Sequence, residues 1–273
     1  MNSYIVFIDG KKSENPEFDL SNLDERSVSV FETMRVFGTS AFRLDKHLDR
    51  LFASAKTVGL RIPKDRKTFE REIKTVLRQL KTPAQFFLRL TLFENQTVIF
   101  IFDRSYPDHL YEKGIDLRTT TVRRNPSNSV PPEAKTGQFL NGILSFFDSV
   151  SQESFEALFL DSAGYVKEAR VWNFFLVKNE ILKTPARDGI LNGVTRQFVI
   201  ECAGKERMDV SETNLTRHEV WNADEAFITN TSGGIVPVRS VDGRKIGEKI
   251  PGEITRRLTK RFQIELNEEI KSQ

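Results

Sequence analysis

Hydrophobic positions in the first part of the chain alternate over short runs and then recur every three to four residues. Alternation predicts strands, and the longer spacing predicts helices with one apolar face. Asp45 stands before the first helical run and is predicted to be its N-cap. Strands before and after a pair of helices indicate an α+β arrangement rather than strict βαβ alternation. The predicted strands are Tyr4–Ile8, Phe31–Phe37, Ala41–Leu44, Gln85–Phe93 and Val98–Asp103, and the helices carry the apolar faces Leu48, Leu51, Phe52, Ala55 and Phe69, Ile73, Val76, Leu77, Leu80.

The segment 123–132 interrupts this pattern. It contains Pro126, Pro131 and Pro132 and few hydrophobic residues, so no regular element is expected there. We therefore predict an N-terminal α+β domain over residues 1–122, an interdomain linker over 123–132, and a C-terminal domain over 133–273.

The second part of the chain is predicted to begin with a helix and to continue mainly as β structure. The apolar residues of this helix are Leu140, Ile143, Leu144 and Phe147, and the hydrophobic stretch Tyr165–Val177 is predicted to be one long β segment. Further strands are predicted at Phe155–Leu160, Ile181–Thr184 and Glu225–Asn230, and further helices after Gly193 and from about Ile254 to Glu268.

Composition narrows the classes of function. Of the 273 residues, 38% are hydrophobic and 29% are charged, and the net charge of +3 is spread along the chain, which does not indicate a nucleic-acid partner. No hydrophobic run reaches the length of about 18 residues that a membrane span needs. The single cysteine, Cys202, cannot form an intrachain disulfide, which is typical of a cytoplasmic protein. Three histidines disfavour a His-based metal site, and no metal is expected.

Lys135 is the first candidate for chemistry. It follows Pro131 and Pro132 at the predicted start of a helix. There the helix dipole would lower the pKa of the amine, as a lysine that reacts as a free amine requires. A solvated lysine without any function would suit the same position, so position alone leaves both interpretations open.

Glu168 is the second candidate, because it interrupts the apolar segment Tyr165–Val177. An outward strand residue is one interpretation. If the side chain points inward it must be paired, since burying a lone carboxylate costs several kcal/mol. A protonated pyridine nitrogen would be a suitable partner.

Two turns have the composition of phosphate sites. Gly193-Val194-Thr195 opens a helix and Thr231-Ser232-Gly233-Gly234 follows a strand, so both present backbone N–H groups and hydroxyls. Arg50, on the first predicted helix, would add a cation. Ordinary caps, turns and surface arginines use the same residues, so none of these features identifies a site by itself.

Together these segments resemble the class IV aminotransferase family over nearly the whole chain. The matching motifs lie in order along the sequence and are Phe31-Glu32-Thr33-Met34-Arg35-Val36, His47-Leu48-Asp49-Arg50-Leu51 with Ser54, Lys135-Thr136 with Leu140, Glu168 with Asn173-Phe174-Phe175, Leu191-Asn192-Gly193-Val194-Thr195-Arg196, Thr229-Asn230-Thr231-Ser232, Pro237-Val238, Asp242-Gly243 and Pro251-Gly252.

The resemblance implies an α+β enzyme of fold type IV that uses pyridoxal 5′-phosphate (PLP). Its small α/β N-terminal domain would precede a larger PLP-binding domain with a pseudo-barrel sheet flanked by helices. Lys135 would form the Schiff base with PLP and Glu168 would pair with the pyridine nitrogen. A homodimer is also implied. The residues implied to hold the cofactor phosphate are Arg50, Val194, Thr195, Thr231 and Ser232.

The sequence is less specific about the substrate. Phe31 replaces the tyrosine typical of D-amino-acid aminotransferases, and their Arg-x-His clamp is missing after Arg89. The longer glycine-containing loop typical of branched-chain enzymes is missing there too, and the spacing from Lys135 to Leu140 is more similar to D-amino-acid enzymes and lyases. Arg35 and Arg89, with Phe31, are predicted to contact the substrate, although outward strand arginines remain the alternative.

We favour a transaminase that moves an amino group between a small or branched-chain amino acid and a 2-oxo acid. One alternative is 4-amino-4-deoxychorismate lyase, which releases pyruvate. An alternative of another class is a protein that binds PLP without turnover, and the presence of both Lys135 and Glu168 argues against it.

Overall fold

The computed structural model describes residues 5–14, 28–62, 64–80, 85–151 and 154–272, and these form two compact units. The first unit consists of the described residues up to Ser105, the short segment Ala134–Gln138 and the chain from Glu269 onward. The second consists of Tyr106–Glu133 and the described part of Phe139–Glu268. Tyr4, predicted to open the first strand, lies outside the described residues.

The first unit is an antiparallel sheet with two helices packed on one face. Its described strands follow the order β2-β1-β6-β5-β3-β4, and every neighbouring pair is antiparallel. Hydrophobic residues of the helices and of one sheet face form a common core. The elements are β1 (Ile5–Ile8), β2 (Lys11–Ser13), β3 (Val30–Phe37), β4 (Ser40–Ala41), α1 (Leu44–Thr57), α2 (Arg66–Gln79), β5 (Gln85–Leu92) and β6 (Thr97–Phe102).

The apolar helix faces predicted for α1 and α2 are confirmed, but the predicted N-cap of α1 is wrong. Arg43, at φ 52°, caps α1 without a side-chain hydrogen bond, and Asp45 lies in the first turn. An acid there is still favoured by the positive end of the helix dipole, which is why the sequence signal resembled a cap. In α2, Asp65 is the cap, and its Oδ1 accepts a 2.8 Å hydrogen bond from the N–H of Thr68.

The second unit is built on a mixed sheet whose described strands follow the order β12-β11-β10-β13-β14-β7-β8-β9. Because β9 also pairs with β10, the strands from β10 to β9 close into a ring, as the predicted pseudo-barrel requires. The elements are α3 (Asp108–Lys113), β7 (Ile115–Arg123), α4 (Leu140–Ser151), β8 (Glu156–Leu160), β9 (Val166–Ala169), β10 (Trp172–Lys178), β11 (Ile181–Pro185), α5 (Val194–Lys205), β12 (Val210–Thr213), α6 (Arg217–Trp221), β13 (Glu225–Asn230), β14 (Gly234–Val241), β15 (Arg244–Lys245) and α7 (Glu253–Lys271).

The two units do not coincide with the expected domain bounds. Strand β7, placed within residues 1–122 by the sequence, pairs in parallel with β8 and β14 and belongs to the second unit. The segment Ala134–Gln138 groups with the first unit, because it hydrogen-bonds to the start of β3. Residues 124–132 contain no helix or strand.

The predicted single β segment Tyr165–Val177 is wrong. It is a hairpin of β9 and β10 around a turn at Arg170 and Val171, with Ala169 paired to Trp172. Both strands are buried throughout most of their length, so their hydrophobic residues run together and conceal the turn.

The helix predicted after the linker is α4, and its apolar residues face away from the sheet. Leu140, Ile143, Leu144 and Phe147 are all at least half exposed, while the small residues Gly142, Ser145 and Ser149 are buried. The predicted helix is therefore present, with a hydrophobic surface that the described residues leave uncovered. Within the described residues, no helix combines the length and the hydrophobicity needed to cross a bilayer.

Candidate active site

Lys135 lies on an extended segment fastened to the first unit by its backbone. Its carbonyl accepts a 3.1 Å hydrogen bond from the N–H of Phe31, and its own N–H donates to Ser54 Oγ at 3.0 Å. The N–H of Gly137 donates to the carbonyl of Ser29 at 2.8 Å. The position of Lys135 is therefore determined by β3 and α1.

The helix-dipole argument for Lys135 is wrong, because α4 begins only at Leu140. The extended conformation around Thr136, which pairs with Val30, keeps Lys135 out of the helix. Lys135 Nζ instead has an aromatic neighbour, because it lies 4.5 Å from the ring centroid of Phe31.

The face of the first sheet that is turned away from α1 and α2 carries the candidate substrate residues. In β3 the residues Val30, Glu32, Met34 and Val36 are buried, whereas the alternate positions that include Phe31 are only half-buried. Cross-strand partners in an antiparallel pair share one face. Phe31, Arg35 and Arg89 therefore belong to the same face, since Thr33 of β3 pairs with Arg89 of β5.

Arg89 is a cation held by an aromatic ring. Its guanidinium carbon lies 3.8 Å from the ring centroid of Phe31, and burial lowers the pKa of its guanidinium without removing the charge. Among the residues that the structure describes, its side chain has no hydrogen-bonding partner. Such a group is suited to bind a carboxylate. Arg35 differs, because Gln85, with its amide turned to accept, hydrogen-bonds Arg35 Nη2 at 2.8 Å.

Arg50 is held by a buried carboxylate on the opposite face of β3. Arg50 Nε and Nη2 donate to Glu32 Oε1 and Oε2 at 2.6 and 2.7 Å, and His47 Nδ1 lies 2.7 Å from Glu32 Oε2. Since an ionised carboxylate only accepts, the Nδ1 atom of His47 carries the proton. One turn further along α1 lies Ser54, which holds Lys135, so Arg50 and the lysine segment share one helix.

Burial and neighbouring groups determine the protonation states of the side chains in this cluster. Burial by itself would raise the pKa of Glu32, but the charge of Arg50 and the hydrogen bonds from Arg50 and His47 outweigh it and hold the pKa at about 2. Burial lowers the pKa of His47, with Glu32 opposing the effect. The cluster therefore contains an ionised acid, a charged arginine and a neutral histidine at pH 7.

Glu168 is buried in β9, and its carboxylate is surrounded by hydrogen-bond donors of the second unit. Its two oxygens accept from the N–H of Leu191, each at 3.1 Å, and Oε2 accepts from Asn173 Nδ2 at 3.0 Å. Arg124 Nη2 lies 2.6 Å from Oε1. The inward orientation considered for Glu168 is thus present, and the carboxylate is paired as burial requires.

The first turn predicted to hold a phosphate opens α5. Gly193 is its N-cap and makes no side-chain capping hydrogen bond, so the N–H groups of the first turn of α5, at Val194 and Thr195, have no capping side chain. A side chain at Gly193 would collide with Asn173 Oδ1, which explains the glycine. Asn173 Nδ2 also donates to the Leu191 carbonyl at 2.8 Å, which fastens this turn to the Glu168 cluster.

The second turn, Thr231–Gly233, joins β13 to β14. Asn230 Oδ1 accepts from the N–H of Gly233 at 2.7 Å, and Tyr111 Oη donates to the Gly233 carbonyl at 3.1 Å. Just before the turn, Thr229 pairs with Asn173 across the sheet, and its buried Oγ1 has no hydrogen-bond partner in the described part of the chain.

These residues fit PLP. An uncapped helix N-terminus and an arginine suit its phosphate, a buried ionised acid suits a protonated pyridine nitrogen, and a lysine suits its aldehyde. Asn173 has Glu168 as its cross-strand neighbour on one side and Thr229 on the other. Thr229 Oγ1, which has no hydrogen-bond partner among the described residues, is therefore a further polar group available to such a ligand. The first unit carries Lys135, Arg50, Phe31, Arg35 and Arg89, and the second carries Glu168, Val194, Thr195, Thr231 and Ser232.

Several residues of these clusters had no role in the sequence analysis. Glu32, His47 and Asn173 appeared only as positions within motifs, and Arg124 lay in the expected linker. Glu32 had a detectable signal, because it occupies the buried phase of an alternating strand. Arg124 had none, since nothing near it in sequence indicates burial.

Comparison with known proteins agrees with this chemistry. The model of the family described as amino-transferase class IV matches residues 29–241. A putative branched-chain-amino-acid aminotransferase of Methanocaldococcus jannaschii is 35% identical over 94% of this chain and 95% of its own, and the branched-chain-amino-acid aminotransferase of Pseudomonas aeruginosa is 31% identical over 86% and 83%. The crystal structure of the T.th. branched-chain amino acid aminotransferase with pyridoxamine 5′-phosphate has a TM-score of 0.89 at 27% identity, covering 97% of this chain and 94% of that one.

The fold and the two clusters define a PLP-dependent enzyme of fold type IV. The chain belongs to the class IV aminotransferase family. The predicted family, the α+β fold with a pseudo-barrel, the PLP cofactor and the transaminase class are thereby confirmed.

Proposed function

We propose that this transaminase exchanges an amino group between a branched-chain or small apolar amino acid and a 2-oxo acid. The observation that carries the proposal is the setting of Arg89, a half-buried cation stacked on Phe31 in a sheet face that also includes Phe87 and Phe100. A carboxylate bound by Arg89 would lie among apolar rings. The names of the relatives support the same substrate class.

In this proposal each residue has one task toward the cofactor or the substrate. Bound PLP supplies an electron sink for the bonds at the substrate Cα. Lys135 Nζ is the amine that would attach the cofactor. Once the substrate amine has displaced it, Lys135 Nζ would take the proton from the substrate Cα and deliver it to the cofactor C4′. Glu168 pairs with the pyridine nitrogen, and the phosphate is held by Arg50, Val194, Thr195, Thr231 and Ser232.

The test uses the visible absorption of the bound cofactor. We expect the absorption band to bleach when an apolar amino acid such as valine or leucine is added and to return with the matching 2-oxo acid. A panel of L- and D-amino acids determines stereochemistry and side-chain preference. Pyruvate release from 4-amino-4-deoxychorismate without such cycling would show the lyase, and no response to any amino acid would show a protein that binds PLP without turnover.

We also propose that the enzyme is a homodimer and that the exposed face of α4 contributes to the interface. Leu140, Ile143, Leu144 and Phe147 form this face, and an exposed hydrophobic patch of this kind is typical of a binding surface. A second copy is the proposed occupant because the family resemblance implies a dimer. Light scattering should give twice the mass of 31.4 kDa, and Leu144→Glu should lower it toward the monomer. The exposed lysine site Lys260→Glu, on α7, is the control.

The cytoplasm is the proposed compartment. Cys202 is buried in the second unit, and it is the single cysteine of the sequence. A protein without structural disulfides suits a reducing compartment. Cell fractionation of a tagged chain tests this, and recovery outside the cytoplasm would refute it.

A further inference from the structure

Arg124 is built into the second unit although it lies in a segment without regular structure. Its backbone N–H donates to the carbonyl of Leu160 at 2.9 Å, which continues the pairing of β7 with β8 by one residue. Its guanidinium carbon lies 5.5 Å from the ring centroid of Phe159 and 5.9 Å from that of Phe139. Only 8% of its side chain is exposed. Such burial is unusual for an arginine unless a specific partner holds it.

That partner is Glu168, whose side chain is 6% exposed and 2.6 Å from Arg124 Nη2. Glu168 also accepts hydrogen bonds from two neutral donors, the Leu191 N–H and the Asn173 amide. Arg196, fully buried on α5, also interacts electrostatically with Glu168, but its hydrogen bonds go to Glu212 and to the Pro185 carbonyl. Arg124 is therefore the arginine that forms an ion pair with Glu168, and Arg196 acts on that carboxylate only through the field of its charge.

We propose that Arg124 is a positioning residue that keeps Glu168 ionised and oriented toward the cofactor's pyridine nitrogen. The proposal rests on the proposed role of Glu168. A carboxylate buried beside neutral donors alone would favour its protonated form, because desolvation penalises the charge. A neutral Glu168 would leave the pyridine nitrogen without an ionic partner, and the electron sink would weaken. The contact with Arg124 also fixes Oε1, so that the carboxylate cannot rotate freely.

A purely structural role for Arg124 is the competing explanation, and a double-mutant cycle separates the two. The variants are Arg124→Met, Glu168→Gln and both together, compared as holoenzymes. The readouts are the PLP dissociation constant, the absorption spectrum of the bound cofactor, kcat and KM, and the thermal unfolding temperature. The double variant also removes the buried unpaired charge that Arg124→Met alone would leave, so it should fold even where the single variant does not.

We expect Arg124→Met to shift the cofactor spectrum in the same direction as Glu168→Gln. It should lower kcat by roughly ten- to hundredfold, the range of a hydrogen bond to a charged group, with smaller changes in PLP affinity and KM. In the Glu168→Gln background, Arg124→Met should add almost nothing to the spectral shift or to the loss of kcat. Arg124→Lys, which retains the charge, should recover part of both.

The control is Arg170→Met, which breaks a comparable ion pair with buried Glu156 (3.0 Å) and leaves Glu168 untouched. It should alter stability without shifting the cofactor spectrum. Equal losses from Arg124→Met in both backgrounds, or an unchanged spectrum, would overturn the positioning role. If Glu168→Gln itself leaves spectrum, affinity and rate unchanged, the proposed role of Glu168 fails instead, so the two failures are distinguishable.

Discussion

Each unit of the enzyme contains a buried pair of a carboxylate and an arginine that is proposed to serve the cofactor, and the two pairs are built in opposite senses. In the first, Glu32 on β3 supports Arg50 on α1, and the arginine is the proposed ligand for the cofactor. In the second, Arg124 supports Glu168 on β9, and the carboxylate is the proposed ligand. The closest contact is 2.6 Å in both.

The difference shows how a fold prepares a charged group for a ligand of either sign. A single buried charge is costly, so each ligand group arrives with a counter-ion that the fold supplies. The phosphate needs a cation, so the arginine is the proposed ligand in the first pair. The pyridinium needs an anion, so the carboxylate is the proposed ligand in the second pair. The first pair is assembled from residues 18 positions apart and the second from distant segments.

The largest expected effect comes from removing the lysine that is proposed to attach the cofactor, which both pairs are proposed to bind. Lys135→Ala should abolish turnover, because it removes the amine that is proposed to attach the cofactor and move the proton. The absorption band of the lysine-bound cofactor should disappear with it. Lys64→Ala, at an ion-paired lysine of the same unit, is the control. Survival of the band in Lys135→Ala would show that the lysine assignment is wrong.

The second prediction compares the effects of neutralising each of the two carboxylates. Glu168→Gln should leave PLP bound but lower kcat on the order of a hundredfold, because the ring loses its counter-ion. Glu32→Gln should instead weaken PLP binding by about tenfold, because Arg50 loses its support, with less effect on kcat. Glu156→Gln and Glu72→Gln are matched controls in the two units. Identical kinetic profiles for both variants would remove the proposed distinction.

Arg89 sharpens the comparison, because it is an arginine without a carboxylate partner in the described residues. Arg89→Met should raise the KM for the amino acid or the 2-oxo acid by roughly tenfold or more, as expected when a charge-assisted contact is lost, and leave PLP affinity unchanged. Steady-state kinetics and cofactor titration measure the two effects. Arg35→Met, whose arginine already bonds Gln85, is the comparison. A loss of PLP binding in Arg89→Met would place it in the cofactor site.

The smallest effect at neutral pH concerns stability. The pKa of Glu32 falls on folding from its ordinary 4.5 to about 2, so its stabilisation is complete above about pH 4.5 and is lost as the pH falls toward 2. The pKa of His47 is also lowered, so the unfolded chain takes up that proton first and stability declines below about pH 6.5. A pKa that differs by one between the folded and the unfolded chain changes the free energy of unfolding by about 1.4 kcal/mol.

Urea unfolding between pH 7 and about pH 2 measures this dependence. His47→Gln should flatten the upper part of the curve, and Glu32→Gln the lower part. His109→Gln, on α3 of the other unit, is the control. A wild-type stability that rises on acidification through this range would contradict the assignment of charges in the Glu32 cluster.

Much of the first unit was predictable because its contacts are local in sequence. Period-two alternation in β3 and three-to-four-residue spacing in α1 and α2 identify the faces that pack together. The same alternation places Glu32 in the core, since it occupies a buried position of β3. The hairpin of β9 and β10 was missed, because strands buried on both sides lose the alternation that would reveal a turn at Arg170.

The sequence by itself determined the family, the cofactor and the order of the motifs, because residue types such as the lysine, the glutamate and the two small-residue turns are required by PLP chemistry. Only the tertiary structure decided that Lys135 is held by Ser54 and Phe31 rather than by a helix dipole, and that α4 turns its apolar residues outward. It also decided that Arg124 leaves the expected linker to meet Glu168. The contacts of Lys135 and Arg124 are long-range, so no local spacing encodes them, and the cost of burying charge makes the pairing of Arg124 with Glu168 obligatory once the chain has folded.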